Sequence, residues 1–176
     1  MKAFITGKPG VGKTTLIKRL YSIDPERFRG FWTEEVRERG RRVGFKVITT
    51  EGMEGVLAHV GMDSPYRVGR YGVSVRGFEE VVMPVLEACL PLCPKVVLID
   101  EIGKMELFSE RFARVVEEIA FRRNIRLLAT VPVKDVHPLV RRIRRAFRPV
   151  LLTPDNREEV FRMLAKRMGL DSTRPG

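Results

Sequence analysis

Glutamine is absent from the sequence, asparagine occurs twice (Asn124 and Asn156) and so does histidine (His59 and His137). Histidine-based metal or triad chemistry therefore has little to work with. Depleted amides beside abundant Arg and Glu lean toward a thermophilic source, where thermolabile residues are avoided and charge networks favoured. The two cysteines, Cys89 and Cys93, have no second Cys or His pair to complete four zinc ligands, so they read as buried free thiols. One Trp and three Tyr do not make an aromatic platform for single-stranded nucleic acid. Long apolar runs are missing too: Val96–Ile99 and Leu127–Val131 fall far short of the roughly 20 residues that a membrane helix needs. Behind Met1-Lys2 the apolar run Ala3-Phe4-Ile5 is broken at once by Thr6-Gly7-Lys8, which is not the pattern of a signal peptide. A soluble cytoplasmic protein with no membrane partner is the expectation.

What the chain does have is basic charge. Its 33 Lys and Arg against 22 Asp and Glu give a formal net charge of +11. That excess suits an anionic ligand and permits nucleic-acid contact without predicting it. The clusters Arg39–Arg42, Arg122–Arg126 and Arg141–Arg148 read first as solvated faces. At 176 residues and 44% hydrophobic, the chain suffices for one compact core. One domain over residues 1–170 is expected, with a disordered tail over 171–176 and a monomer favoured.

Hydrophobic patterning places the elements. Lys2–Thr6 reads as a strand, followed by a glycine-rich loop and a helix from Thr14 to Leu20 with Leu16, Ile17 and Leu20 on one face. Residues 31–50 alternate around the polar turn Glu38–Arg42, as in a hairpin, and Val56–Val60 and Tyr71–Val75 read as further strands. Phe78–Leu90 resembles a helix that Pro84 must kink or confine to its ends. The second half alternates strands (Val96–Asp100, Ile125–Thr130, Pro149–Leu152) with amphipathic stretches around Phe112–Ala120, Leu139–Phe147 and Arg157–Met168. This is the pattern of βαβ units on a parallel sheet, an α/β fold.

The chemistry is carried first by Gly7-Lys8-Pro9-Gly10-Val11-Gly12-Lys13-Thr14, a full match to G-x-x-x-x-G-K-[ST] lying between strand and helix. In such a loop the glycines let backbone N–H groups turn inward around a β-phosphate at the positive end of the following helix. Lys13 neutralises β/γ oxygens, and the Thr14 hydroxyl coordinates Mg²⁺. Turnover needs in addition a carboxylate to hold the metal and a group to activate the nucleophile. Val96–Ile99 ends in Asp100-Glu101, adjacent acids at the carboxyl end of a strand, where open α/β sheets place ligands. Asp100 is assigned to Mg²⁺ and Glu101 to the attacking water. Such a pairing points to the P-loop ATPases that carry an extra strand between the P-loop strand and the acid-bearing strand. Thr130 closes the next strand, either as a γ-phosphate sensor or as an ordinary strand-end residue. Asn156-Arg157 opens the last helix and either flanks a base or ribose or, through Asp155 or Asn156, caps the helix. Lys104 and Glu106 lie where they would contact phosphates or brace the loop. An arginine finger stays unassigned among Arg37, Arg141, Arg142, Arg144 and Arg145.

At greater length the chain resembles the THEP-type nucleoside-triphosphatases. The resemblance runs from about Met1 to Leu170 through the segments GKPGVGKTT (Gly7–Thr15), GFWTEEVRERGRRVGF (Gly30–Phe45), RYGV (Arg70–Val73), DEIGKMEL (Asp100–Leu107), ATVP (Ala129–Pro132) and TPDNR (Thr153–Arg157). It implies a RecA-like, mostly parallel sheet flanked by helices, with an inserted antiparallel hairpin at about residues 30–50. It also implies Mg²⁺-dependent hydrolysis of ATP, GTP, CTP and UTP, and more slowly of diphosphates. The nucleotide site implied is Gly7–Thr14 with Thr15, and a second segment Val97, Leu98, Ile99, Asp100, Glu101, Ile102, Gly103 and Lys104. Two other functions remain open on the residues alone. One is a nucleoside or nucleotide kinase with a basic lid at His137–Arg148; the other is an ATPase coupled to nucleic acid.

Overall fold

The computed structural model describes residues 1–170; the tail expected at 171–176 lies outside the described residues. In chain order the elements are β1 (Lys2–Thr6), α1 (Lys13–Ile23), β2 (Phe28–Glu38), β3 (Arg41–Thr49), β4 (Glu54–His59), β5 (Arg67–Val68) and β6 (Tyr71–Val73), then α2 (Val75–Glu87), β7 (Val96–Ile99), α3 (Glu110–Phe121), β8 (Leu127–Val131), α4 (Pro138–Phe147), β9 (Val150–Leu151) and α5 (Arg157–Arg167). Among the described residues the strands form one sheet in the order β5-β6-β4-β3-β2-β7-β8-β1-β9. Strands β2, β7, β8, β1 and β9 run parallel, while β3, β4, β6 and β5 extend the β2 edge in antiparallel fashion. Strand β8 lies between β1 and β7, the extra strand expected from the paired acids.

Helices cover both faces. Phe78 of α2 and Phe112 of α3 meet Phe31 edge-on, with ring centroids 5.0–5.9 Å apart, and with α4 they roof one face of the sheet. On the other face α1 and α5 bury Leu16, Ile17, Leu20, Val160 and Leu164 against Ile5, Leu98 and Leu128. Enclosure from both sides explains why Val96–Ile99 and Leu127–Val131 are buried at every position and show no alternation.

Local chemistry sets the boundaries that differ from the pattern reading. The strand starting at Tyr71 stops at Val73 because the Ser74 hydroxyl accepts the Gly77 N–H and caps α2, so Val75 opens the helix instead of closing the strand. Pro84 lies inside α2, neither breaking it nor marking its end. The N–H it lacks would have bonded the carbonyl of Glu80, an exposed residue. The antiparallel insertion also extends past residue 50, through β4, β5 and β6 to Val73. Cys89 and Cys93 are buried, with the Cys93 thiol donating to Cys89 Sγ at 3.1 Å, and burial pushes the Cys89 thiol up to about 12.

Candidate functional site

The loop after β1 wraps into the first turn of α1 with Gly10 and Gly12 at φ 81° and 108°, backbone that a Cβ disfavours. Lys13 turns back over this loop and donates to the Gly7 carbonyl at 2.6 Å. Thr14, one residue on, donates its hydroxyl to Asp100 Oδ2 at 2.7 Å across 86 residues of sequence. The other carboxylate oxygen of Asp100 accepts the Thr130 hydroxyl at 2.6 Å, and the Thr33 N–H reaches the same group. Helix α1 and strands β2, β7 and β8 therefore converge on one carboxylate that is 1% exposed. Burial pushes Asp100 above its ordinary range, opposed by the hydroxyls of Thr130 and Thr14, the Thr33 amide and the charge of Lys13.

Glu101 follows in a cis peptide linkage and is more open, with 28% of its side chain exposed. Its Oε2 lies 3.7 Å from Lys13 Nζ. Burial again pushes the carboxyl up; Lys13 pulls it down and Asp100 pushes it up further. A hydroxyl, an ammonium and two acids from distant parts of the chain thus share one site beside the phosphate-type loop.

Thr130 is fully buried with its hydroxyl committed to Asp100, so it reaches the site through that acid. Lys104 is exposed, whereas Glu106 is 5% exposed. Asn156 is the residue before α5, but its amide caps nothing: Oδ1 accepts the Thr153 N–H at 2.7 Å, and Nδ2 donates to the Leu151 carbonyl at 2.8 Å. Both ends of that amide are occupied in bracing the β9–α5 turn. Arg157 donates Nε to the Val11 carbonyl at 2.9 Å and lies against Gly12. With Gly10, Gly12, Thr15, Leu16 and Arg19 it lines a cleft of about 240 Å³ on the α5 side of the loop.

Among the arginines weighed as fingers, Arg144 touches the strand end that leads into the loop, donating to the Pro132 carbonyl at 2.8 Å and to the Thr6 hydroxyl at 3.4 Å. Arg142 pairs with Glu117, and Arg37 pairs with Glu35 at the hairpin tip. The buttressing roles of Arg144 and of Arg19, which pairs with Glu158 and covers the Phe161 ring, were missing from the sequence reading. Neither belongs to a spaced motif; the only signal was the basic content of α1 and α4.

The donor set suits a hard divalent ion. Thr14 and Asp100 offer oxygen ligands only, and no cluster of three or more His, Cys, Asp or Glu side chains able to cage a metal occurs among the described residues. Mg²⁺ is commonly held in this way, by one or two protein oxygens with substrate phosphates and water completing the shell.

The model of the family described as NTPase matches residues 2–165. Nucleoside-triphosphatase THEP1 of Aquifex aeolicus is 48% identical over 169 residues, 92% of this chain and 95% of that protein. The human protein named cancer-related nucleoside-triphosphatase is 44% identical over 147 residues, 77% of each chain. The crystal structure of THEP1 from Aquifex aeolicus superposes with a TM-score of 0.89 at 46% identity, covering 96% of this chain and 99% of that one. With the match running over nearly its whole length, the chain belongs to this NTPase family of P-loop nucleoside-triphosphatases.

Proposed function

We propose that the chain hydrolyses Mg²⁺-bound ATP, GTP, CTP and UTP to the diphosphate and phosphate, and diphosphates more slowly, with little preference for the base. The observation that carries this reading is the meeting of Thr14 with Asp100 at 2.7 Å and of Lys13 with Glu101 at 3.7 Å beside the glycine loop. Amides of Gly10–Thr15 cradle the phosphates. Lys13 leaves its Gly7 contact to neutralise β/γ oxygens. Thr14 and Asp100 hold the metal, which when bound withdraws charge from the phosphate oxygens. Glu101, raised by burial and only partly exposed, accepts the proton of a water as its oxygen bonds to the γ-phosphorus and the bond to the β–γ bridging oxygen breaks. Arg157 and Arg19 beside the cleft offer planar cations and no paired donor and acceptor to read a base edge, which supports loose base preference.

The kinase alternative would need α4 as a mobile basic lid. Leu139, Val140 and Ile143 are instead buried beneath it, and Arg142 and Arg144 are tied to Glu117 and Asp135. The test follows label from γ-³²P-ATP with Mg²⁺ in the presence of nucleosides and nucleoside monophosphates. Release as phosphate, lowered about 10²-fold or more by Glu101→Gln with nucleotide affinity retained, is the expected result. Transfer to an acceptor faster than to water, or full turnover in Glu101→Gln, would overturn the reading.

A further inference from the structure

Glu106 occupies the single helical turn Glu106–Phe108 that ends the loop carrying Glu101, with its side chain turned into the protein and 5% exposed. Its carboxyl group faces the backbone N–H groups of Glu101 and of Glu106 itself. Between the two acids stands Gly103. A Cβ there would come 2.6 Å from Glu101 Oε1 and 2.9 Å from Glu106 Oε1, so the two carboxyl groups crowd the same face of Gly103 and leave no room for a side chain between them. The loop is pinned elsewhere by the Ile102 N–H on the Thr130 carbonyl (2.9 Å) and the Leu107 N–H on the Gly103 carbonyl (3.0 Å).

A carboxyl group buried this fully is costly, and an aliphatic side chain would fill the space more cheaply. What the acid adds is a cross-brace from the end of the loop to its beginning. That brace matters because the Glu101 carboxylate pairs with Lys13 at 3.7 Å, and on the reading above Lys13 moves to phosphate oxygens when nucleotide binds. The direction of Glu101 then depends on the loop backbone alone. We propose that Glu106 is a positioning residue for the hydrolysis: by holding the Glu101 amide and packing against Gly103, it keeps the Glu101 carboxylate aimed at the attacking water. The proposal rests on the assignment of Glu101 as the base. Burial, with the charges of Glu101 and then Asp100, also pushes Glu106 well above the ordinary carboxylate range, which spares Glu101 a second full negative charge beside it.

The experiment measures kcat, KM and the affinity for Mg²⁺–ATP in Glu106→Leu, Glu106→Gln, Gly103→Ala, Glu101→Gln and the double variant Glu101→Gln/Glu106→Leu. Displacing a reacting group by about an ångström costs up to about 10²-fold. Glu106→Leu and Gly103→Ala are therefore expected to lower kcat between about tenfold and a hundredfold with affinity unchanged. Glu106→Gln, which keeps a carbonyl acceptor for the Glu101 amide, should recover most of the loss. In the Glu101→Gln background Glu106→Leu should cost nothing further, since there is no base left to aim. The proposal is overturned if Glu106→Leu leaves kcat intact, if Gln is no better than Leu, or if the loss is as large without the Glu101 carboxylate. Should Glu106→Leu fail to fold, Gly103→Ala and Glu106→Gln decide the matter by the same criteria. Full turnover in Glu101→Gln would instead sink the assignment of the base, an outcome separate from any result at Glu106.

Discussion

Thr49 and Asp100 are each 1% exposed, and each is a buried polar side chain at the end of a strand. Their partners differ. The Thr49 hydroxyl accepts the N–H groups of Glu51 and Met53, within four residues, and closes the turn from β3 into β4. Asp100 takes its hydroxyls from Thr14 and Thr130, 86 and 30 residues away. In the antiparallel arm, then, burying a polar group solves a local problem of turn geometry. In the parallel half it joins elements that only the finished sheet brings together. An arrangement of the second kind adds little to local folding and gathers ionisable groups from distant elements, which is why the site chemistry gathers at the carboxyl ends of β1, β7 and β8.

Strand β2 belongs to both regions, and the comparison is most sharply broken there. Gly30 pairs with Leu98 of β7, and a Cβ on it would lie 1.8 Å from the Leu98 carbonyl oxygen. Backbone must move to admit any side chain. Gly30→Ala is expected to lower the unfolding free energy by about 4 kcal/mol or more, read from the urea midpoint, and to take both regions down together. A change below about 1 kcal/mol would mean that the two strands separate freely and that the arm is a detachable appendage.

A smaller effect separates function from stability. Asp100→Asn keeps the shape, with one threonine hydroxyl turned to accept from Nδ2 and the other still donating to Oδ1, but removes the charge that the proposed metal site requires. Turnover should fall about 10²-fold with the urea midpoint nearly unchanged. Thr49→Val should do the reverse, costing about 1 kcal/mol of stability with turnover intact, because the amides it abandons can still find water. If Asp100→Asn proved the more destabilising and the less inactivating, the two buried polar groups would have to exchange their interpretations.

This division also explains what could be read in advance. The P-loop, the Asp100-Glu101 pair and the alternation of strand and helix after Val96 were legible because each is written in contiguous residues with a fixed period or spacing. So was the hairpin, since its turn at Arg39-Gly40 is local. Less legible was whatever depends on three-dimensional neighbours. The spent amide of Asn156, the hold of Arg157 on Val11 and the commitment of the Thr130 hydroxyl to Asp100 are all settled by contacts across more than one element. Glu106 looks from its neighbours like one more charged loop residue, yet in the fold it is 5% exposed and lies against Gly103.

The last and smallest effect concerns pH, to which the two regions should respond with opposite sign. At the parallel end Glu106 is raised well above its ordinary range by burial, with Glu101 and Asp100 adding to it. A raised acid binds its proton more tightly folded than unfolded. Its contribution is fully present below the unfolded value of about 4.3 and is lost as pH rises through the folded value. On the arm, partial burial pushes Glu35 up, but the hydrogen bonds from Arg37 and Arg42 together outweigh it and hold the carboxylate low. That contribution is present above the unfolded value and is lost as pH falls through the folded one. Glu35 is 41% exposed, so solvent and salt screen its pairs and its share is the lesser. Thermal unfolding of the nucleotide-free protein across pH should therefore show Glu106→Gln flattening the decline on the alkaline side and Glu35→Gln flattening, more weakly, the decline on the acid side. The same flank affected by both substitutions would show that the electrostatic contrast between the two ends of the sheet is not real.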